Sequence, residues 1–356
     1  MLTKIVPLAA AILISGAVNA TSDDFNSAYQ QYLDAVESGS NVEEFAKQAY
    51  QLGSKKFGAS SESTANLAIN YANVLKVSSE EEMIAKKSLY KLAIANLQQV
   101  YGEDDISIID PLLGVADSTN NFSEAKDATE RAIQIAKKQG EQQLAAEVYL
   151  SSAEILLKQF NNKKRNTIEE YLLAAEDYFG QNQVENSINN VKVNMYLGVY
   201  ESRFGDTSNA ISRLNQVVKV FDDNLEFDHP IELKAHSLLV NLYEGQGLSD
   251  EATKHCVAIA KMRPWTQDIE QQPLYQVHPK VSIDIAKNGR DSAVTVELTI
   301  DKSGFVSDTE VIAAKGDRGF ERATVEAVKK WRYAPKFENG EAVVAKTQVQ
   351  MELNIK

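Results

Sequence analysis

Residue types that perform chemistry in proteins are sparse in this chain. The single cysteine, Cys256, has no second thiol with which to form an internal disulfide. The four histidines lie far apart in the sequence, with no cysteine or aspartate cluster beside them (His229, His236, His255 and His278). Metal sites in proteins need several such ligands at short spacings. We therefore predict no metal site, no cofactor and no disulfide scaffold.

Catalytic motifs are also missing from the sequence. It contains no G-x-S-x-G, no H-E-x-x-H and no Walker loop. The turn Asp301-Lys302-Ser303-Gly304 resembles part of a calcium loop, but an EF-hand needs a glutamate at its twelfth position, which is Ile312 here. We predict that the protein is not an enzyme.

Asparagines recur along two predicted helix faces. The amides that share these stripes are Asn66, Asn70 and Asn73 on one helix, and Asn186, Asn189, Asn190 and Asn194 on another. An amide both donates and accepts hydrogen bonds, so such a ladder could hold the backbone of a bound peptide without demanding a sequence. Ordinary solvated helix faces carry similar polar stripes. Both interpretations remain open at this stage.

The elements that carry these residues begin after a predicted signal peptide, residues 1–20. A short basic start precedes an apolar run of 14 residues from Ile5 to Val18, and Val18 and Ala20 place small residues before a cleavage site. The run is shorter than the roughly 20 residues that span a bilayer. We expect cleavage after Ala20, export to the periplasm, and no integral membrane segment in the mature chain. Full secretion is the alternative.

Residues 21–263 show a helical hydrophobic period, broken by short polar turns into six helix pairs. Small residues stand near the start of the second helix of several pairs and recur at a step of about 42 residues (Ala85, Ala125, Ala210 and Ala252). Ala125 and Ala210 are two such steps apart, and Ile168 occupies the position between them. The last pair resembles the tetratricopeptide family, on Leu239, Tyr243, Gly247, Ala252 and Pro264, and the long step is similar to that of kinesin-light-chain repeats. A helical solenoid is predicted, with a non-repeating bundle as the alternative.

Charge differs between the two parts of the chain. Residues 21–272 carry 23 basic and 38 acidic side chains, whereas residues 273–356 carry 13 and 12. The net charge of the whole chain is −13, which argues against nucleic acid as a partner because phosphate binding needs a basic face.

Past a predicted linker, residues 264–272, the hydrophobic period changes to two. We predict a hairpin from the strand Val294–Ile300 and the strand Phe305–Ala313, then a helix over Arg318–Trp331 and a last strand over Val343–Ile355. With one further helix at its start, this part is a small α+β domain with a three-stranded antiparallel sheet. The predicted fold class is therefore an all-α solenoid followed by this domain, residues 273–356.

The C-terminal residues resemble the C-terminal domain of the TonB family. The resemblance is carried by Pro273-Leu274-Tyr275, by the strand from Val294 with Asp301 and Gly304 after it, and by a helix that ends in Trp-Arg-Tyr-x-Pro (Phe320, Trp331, Arg332, Tyr333 and Pro335). We expect the aromatic residues of this motif to be core. The chain departs from the family at Pro279-Lys280-Val281-Ser282, where a Tyr-Pro usually follows the first proline.

The resemblance implies a peptide-binding edge. In this family, a short TonB box of an outer-membrane transporter adds as a strand beside the last strand, which here covers Thr347, Gln348, Val349, Gln350, Met351, Glu352 and Leu353. An open sheet edge has unpaired backbone groups that such a strand would satisfy. The partners implied are TonB-dependent receptors or components of the inner-membrane transducer.

Two functions follow from these features. The first is a non-catalytic periplasmic adaptor linked to TonB-type energy transduction and outer-membrane transport. The alternative is an envelope-assembly scaffold or chaperone whose repeat groove binds client peptides.

Overall fold

The computed structural model describes residues 20–160, 165–184, 186–224, 229–263, 271–282 and 291–354. The predicted signal peptide lies almost wholly outside these residues, as does most of the predicted linker. No helix lies in residues 271–282, where the C-terminal domain is predicted to begin with a further helix, and residues 283–290 are also outside the described ranges. No helix in the described ranges is both long and apolar enough to cross a bilayer.

Twelve α-helices occupy the described residues from Ala20 to Met262, and this confirms the predicted helical array. A 3₁₀ turn over Ile106–Ile108 precedes the fifth helix. The helices are α1 (Ala20–Ser38), α2 (Val42–Phe57), α3 (Glu62–Val74), α4 (Glu80–Tyr101), α5 (Ile109–Asp117), α6 (Phe122–Lys138), α7 (Gln142–Gln159), α8 (Arg165–Asn182), α9 (Ile188–Phe204), α10 (Thr207–Asn224), α11 (Pro230–Gly245) and α12 (Ser249–Met262).

Short polar caps set where several helices begin. At the start of α4, the Ser79 hydroxyl accepts from the N–H of Glu82, and the Glu82 carboxylate accepts from the N–H of Ser79. At the start of α6, the Asn121 side chain accepts from the N–H groups of Ser123 and Glu124. Such caps satisfy N–H groups that the first turn of a helix leaves unpaired.

The small residues of the predicted repeat are buried in three of four places. Ala125, Ala210 and Ala252 are fully buried, as is Ile168, and each lies three residues after the first residue of its helix. Ala85 is exposed, so this part of the predicted period is wrong. It lies five residues into α4, and two extra residues turn a side chain by about 200° around a helix.

Two compact units make up the chain, and they divide within α9, between Val193 and Asn194. In the first unit, aromatic and alanine side chains of α1 and α2 form a buried cluster with Leu67 of α3. The second unit holds α10, α11, α12 and the C-terminal sheet.

The C-terminal part of the second unit is the predicted small α+β domain. Its described elements are β1 (Ser292–Ile300), β2 (Val306–Lys315), α13 (Arg318–Val328), β3 (Lys336–Glu338), β4 (Glu341–Val343) and β5 (Ala345–Leu353). Strands β2, β1 and β5 form an antiparallel sheet in that order, and β3 and β4 form a separate two-stranded hairpin. The predicted three-stranded sheet is confirmed.

Two boundaries differ from the prediction. Helix α13 ends at Val328, and the N–H of Trp331 bonds the carbonyl of Val328, so the chain turns sharply before the tryptophan. The last strand begins at Ala345 because Asn339 and Gly340, both with positive φ (52° and 83°), turn the preceding residues into the β3–β4 hairpin. Asn-Gly is a preferred sequence for a two-residue hairpin turn.

The core of this domain lies between one face of the sheet and α13. Alternate side chains of β1 are buried there, with Phe320 and Val328 of α13 and with Trp331 and Tyr333 after it. Strand β5 adds Val349, Met351 and Leu353, which are partly buried against the same cluster. This alternation follows the predicted two faces of the last strand.

Candidate protein-interaction site

Strand β5 forms one edge of the three-stranded sheet. It pairs with β1 over all nine of its residues, from Ala345 opposite Ile300 to Leu353 opposite Ser292, with no break in register. Within the described residues, no strand pairs with its other side. A regular row of backbone N–H and C=O groups is therefore available along this edge.

The opposite edge, β2, is irregular. Its pairing with β1 shifts register between Thr295 and Val296 and again between Thr299 and Ile300, which leaves Ile312 and Ser307 of β2 as extra residues. Bulges of this kind bend and twist a strand, and proteins use them to protect edges against further pairing. Of the two edges, β5 is the one with a geometry suited to an added strand.

The two faces of β5 differ in chemistry. Gln348, Gln350 and Glu352 are exposed on the face away from the core, and the Gln350 amide donates to the Glu352 carboxylate over 2.7 Å. On the same face, Lys346 pairs with Glu297 of β1 (Nζ to Oε1 2.5 Å), and its hydrogen bond lowers the pKa of Glu297. On the other face, Thr347 and the three apolar side chains are only partly buried. An added strand would thus meet polar side chains on one face and apolar ones on the other.

The aromatic residues of the recognised motif are core, as predicted. Phe320, Trp331 and Tyr333 are each at most 3% exposed, and Pro335 is buried. The indole N–H of Trp331 donates to the carbonyl of Val277 over 2.8 Å. These residues therefore shape the domain and do not present a surface to a partner.

Arg332 is a large side chain of the motif and is almost completely buried, and its surroundings could not be read from the sequence. Its guanidinium forms an ion pair with Glu244 of α11 and lies over the ring of Phe305, with Cζ 3.6 Å from the ring centre. It also donates to the Thr253 hydroxyl of α12 (2.8 Å) and to the carbonyl of Ser303 (3.1 Å). The arginine thus joins the sheet domain to the last two helices of the same unit.

The segment before the first strand meets the same two helices. The N–H of Leu274 donates to the carbonyl of Arg332 over 2.7 Å, and the Asn241 amide of α11 donates to the carbonyl of Leu274 over 2.9 Å. Tyr275 forms an antiparallel bridge with Arg332. An asparagine of a first helix therefore does bind the backbone of a non-helical segment here, though it is none of those chosen from the sequence.

The asparagines chosen from the sequence occupy varied places. Asn70 and Asn190 are buried; Asn190 donates to the carbonyls of Phe179 and Val184 (3.2 and 2.9 Å), which ties the end of α8 to the start of α9. The other side chains are wholly or partly exposed: Asn66, Asn73, Asn186, Asn189 and Asn194. Two of them accept hydrogen bonds within the fold, Asn73 from the Tyr90 hydroxyl and Asn194 from the Arg213 guanidinium.

Two histidines that are 19 residues apart in the sequence touch in the structure. The Nδ1 atoms of His236 (α11) and His255 (α12) lie 2.8 Å apart, and both rings are buried. Glu232 approaches the other ring nitrogen of His236 at 3.9 Å. No group of three or more metal-ligating side chains with suitable geometry exists in the part of the chain that the structure describes. Next to this pair, burial raises the pKa of the Cys256 thiol to about 11.

Comparison with known proteins finds a family match for part of the chain and several matches among solved structures. Residues 277–355 match the family model described as Gram-negative bacterial TonB protein C-terminal. No curated protein matches the chain. Among solved structures, the crystal structure of BtubC (BKLC) from P. vanneervenii matches 74% of this chain and 100% of that chain, at 16% identity and a TM-score of 0.46.

The family match covers β1 to β5, the free edge and the buried Trp-Arg-Tyr motif. That family is a non-enzymatic, transport-related domain of the cell envelope that acts through protein–protein interactions in the TonB system. Residues 277–355 of this chain therefore form a domain of the TonB C-terminal family, preceded by a helical region consistent with a repeat array.

Proposed function

We propose that the protein is a non-catalytic periplasmic adaptor in TonB-type energy transduction and outer-membrane transport. In this proposal, the C-terminal domain binds a short extended segment of a partner as an added strand beside β5. The residues that supply backbone groups are Thr347–Leu353, with Gln348 and Gln350 as side-chain contacts. The partner is an outer-membrane receptor of the TonB-dependent class or a component of the inner-membrane transducer.

The contrast between the two sheet edges supports this proposal best. Strand β5 keeps an unbroken nine-residue register, whereas β2 is interrupted twice. An added strand gains main-chain hydrogen bonds only where consecutive backbone groups lie in line. Only β5 offers such a run over its whole length.

Periplasmic location in this proposal rests on the predicted signal peptide and on the family of the C-terminal domain. Both support a location between the two membranes, where a receptor's periplasmic segment is accessible.

The test is a titration of residues 21–356 with a TonB-box peptide from a transporter of the same organism, followed by backbone amide NMR. We expect shifts along β5 and none along β2. A scan in which each peptide N–H is methylated in turn adds a sharper criterion. Because alternate N–H groups of an added strand point toward β5, methylation should weaken binding at every second residue only.

A matched pair of variants separates the edges. Gln350→Ala on β5 removes an exposed amide and should weaken binding about threefold to tenfold, the usual value of one hydrogen bond. Glu310→Ala on β2 removes a side chain of similar size that is also exposed, and should leave affinity unchanged. Lack of binding at millimolar peptide would refute the proposal, as would a methylation scan without the two-residue period.

The repeat groove supports the second candidate, a scaffold or chaperone for client peptides. The bond from Asn241 to the carbonyl of Leu274 is the observation that favours it, because a helix amide here binds the backbone of a non-helical segment. In the same titration, shifts confined to residues of the helical array with none in β5 would favour this candidate over the adaptor.

A further inference from the structure

We propose that the C-terminal domain has a second, structural function: it caps the last helical pair, α11 and α12, and Arg332 is the residue that locks the cap in place. The domain and the pair lie in the same compact unit. This function is independent of any partner bound at β5, because none of the contacts that carry it involves a residue of β5.

The Arg332 guanidinium lies in a buried site that offers a carboxylate and hydrogen-bond acceptors, and we call this site the socket. The Arg332 side chain is 1% exposed and its ion-pair partner Glu244 is 9% exposed, so both charges are removed from water. The socket wall comes from α11 and α12 on one side, with Glu244 and Thr253, and from the domain on the other, with Ser303 and Phe305. A buried charge is tolerated only with its partner and hydrogen bonds in place.

An apolar surface surrounds the socket. On the helical side it consists of Val240, Cys256, Ile259 and Ala260, all buried, with Leu233 at its margin. On the side of the domain, Ala334 is buried in this cluster, and Leu274, Tyr275 and Phe337 pack against it. Without the domain, these apolar side chains of the last pair would face water.

Terminal units of helical arrays need a cover, since each pair buries its apolar face only against a neighbour. No further helical pair follows α11 and α12 in the described ranges 271–282 and 291–354. The contacts above supply what a following pair would supply: apolar cover, a buried ion pair and a hydrogen bond from Asn241 to the backbone of Leu274. We therefore expect α11 and α12 to open when the cap is released.

Cys256 provides a reporter, because it is the only cysteine of the chain and is fully buried in this cluster. The experiment measures the rate at which an aromatic disulfide reagent labels Cys256 in the full chain under native conditions. Arg332→Met leaves Glu244 buried without its partner and should speed labelling roughly a hundredfold. Glu244→Met leaves the arginine unpaired and should do the same.

The double variant decides whether the two act as a lock. Arg332→Met combined with Glu244→Met replaces both charges by apolar groups, and such replacements of buried pairs are often neutral. Labelling should then return to within about tenfold of the unmodified chain. The control is Arg322→Met, the same substitution at an exposed arginine of α13, and it should leave the labelling rate unchanged.

Two results would overturn the proposal. One is a labelling rate in Arg332→Met equal to that of the unmodified chain. The other is a double variant whose labelling rate rises by the product of the increases seen in the two single variants. If Arg332→Met does not fold, Glu244→Gln and Ala334→Asp test the ion pair and the apolar contact separately. Amide exchange should then rise in α12 and stay unchanged in α1–α4, and a uniform rise would contradict a local cap.

Discussion

Acid should destabilise the last helical pair through the contact between His236 and His255. Burial, and secondly the neighbouring His236, lower the pKa of His255 from 6.5 to about 4. Other groups also act on this ring: Glu251 raises the pKa, Lys254 lowers it, and Tyr243 stacks on the imidazole at 5.6 Å. The imidazole therefore stays neutral in the folded chain at pH values where it is protonated in the unfolded chain.

The direction and the size of this change in stability follow from proton linkage. Below about pH 6.5, the unfolded chain binds a proton that the folded chain does not bind until about pH 4, so stability falls as the pH falls. A difference of about 2.5 in pKa corresponds to about 3 kcal/mol. The contribution is fully present above pH 6.5, and most of the loss is expected by pH 4.5.

Amide exchange in α11 and α12 measures this loss, after correction for the intrinsic pH dependence of exchange. Between pH 7.5 and 4.5, the free energy of opening should fall by about 2 to 3 kcal/mol more in the unmodified chain than in His255→Gln, which keeps a polar group but cannot titrate. His278→Gln is the matched control because His278 is exposed. Equal pH dependence in the unmodified chain and His255→Gln would refute this reasoning.

Two matched pairs of glycine substitutions test packing, each by urea unfolding. Gly304→Ala should lower the free energy of unfolding by at least about 3 kcal/mol, because φ is +84° and the new Cβ would lie 2.1 Å from a main-chain carbonyl oxygen. Gly340→Ala has a similar φ of +83° but no atom within 4 Å of the new Cβ, and it should lower the free energy of unfolding by only about 1 kcal/mol. Gly114→Ala should cost about 1 to 3 kcal/mol, since its Cβ would meet the ring of Tyr90 at 2.5 Å. Gly180→Ala in α8 meets nothing within 4 Å and should stabilise by up to about 1 kcal/mol. If the two substitutions of either pair changed the free energy of unfolding equally, the contacts of the new Cβ would not be what decides the loss of stability.

Local pattern was sufficient for most of the secondary structure. The period of the apolar residues predicted twelve helices in six pairs, and the change to a period of two predicted β1, β2 and the two faces of β5. Burial of Phe320, Trp331 and Tyr333 also followed from their helical spacing and from the family resemblance. These features depend on residues close together in the sequence, and the side chain of each residue points in a direction set by its own helix or strand.

Features that depend on contacts between distant residues needed the tertiary structure. The histidines of α11 and α12 looked isolated in the sequence, yet pairing of the two helices brings their rings together. Ala85 fitted the repeat by spacing, but the longer α4 turns it to the surface.

The sequence by itself determined the class of each element, the order of the helical array and sheet domain, and the family of residues 277–355. The tertiary structure decided which edge of the sheet is regular and where Arg332 goes. Bulges arise from the pairing of two strands, and the ion pair between Arg332 and Glu244 joins residues 88 apart in the sequence. The period of either segment alone carries no information about such a partner, because the energy of a buried charge depends on what the whole fold places around it.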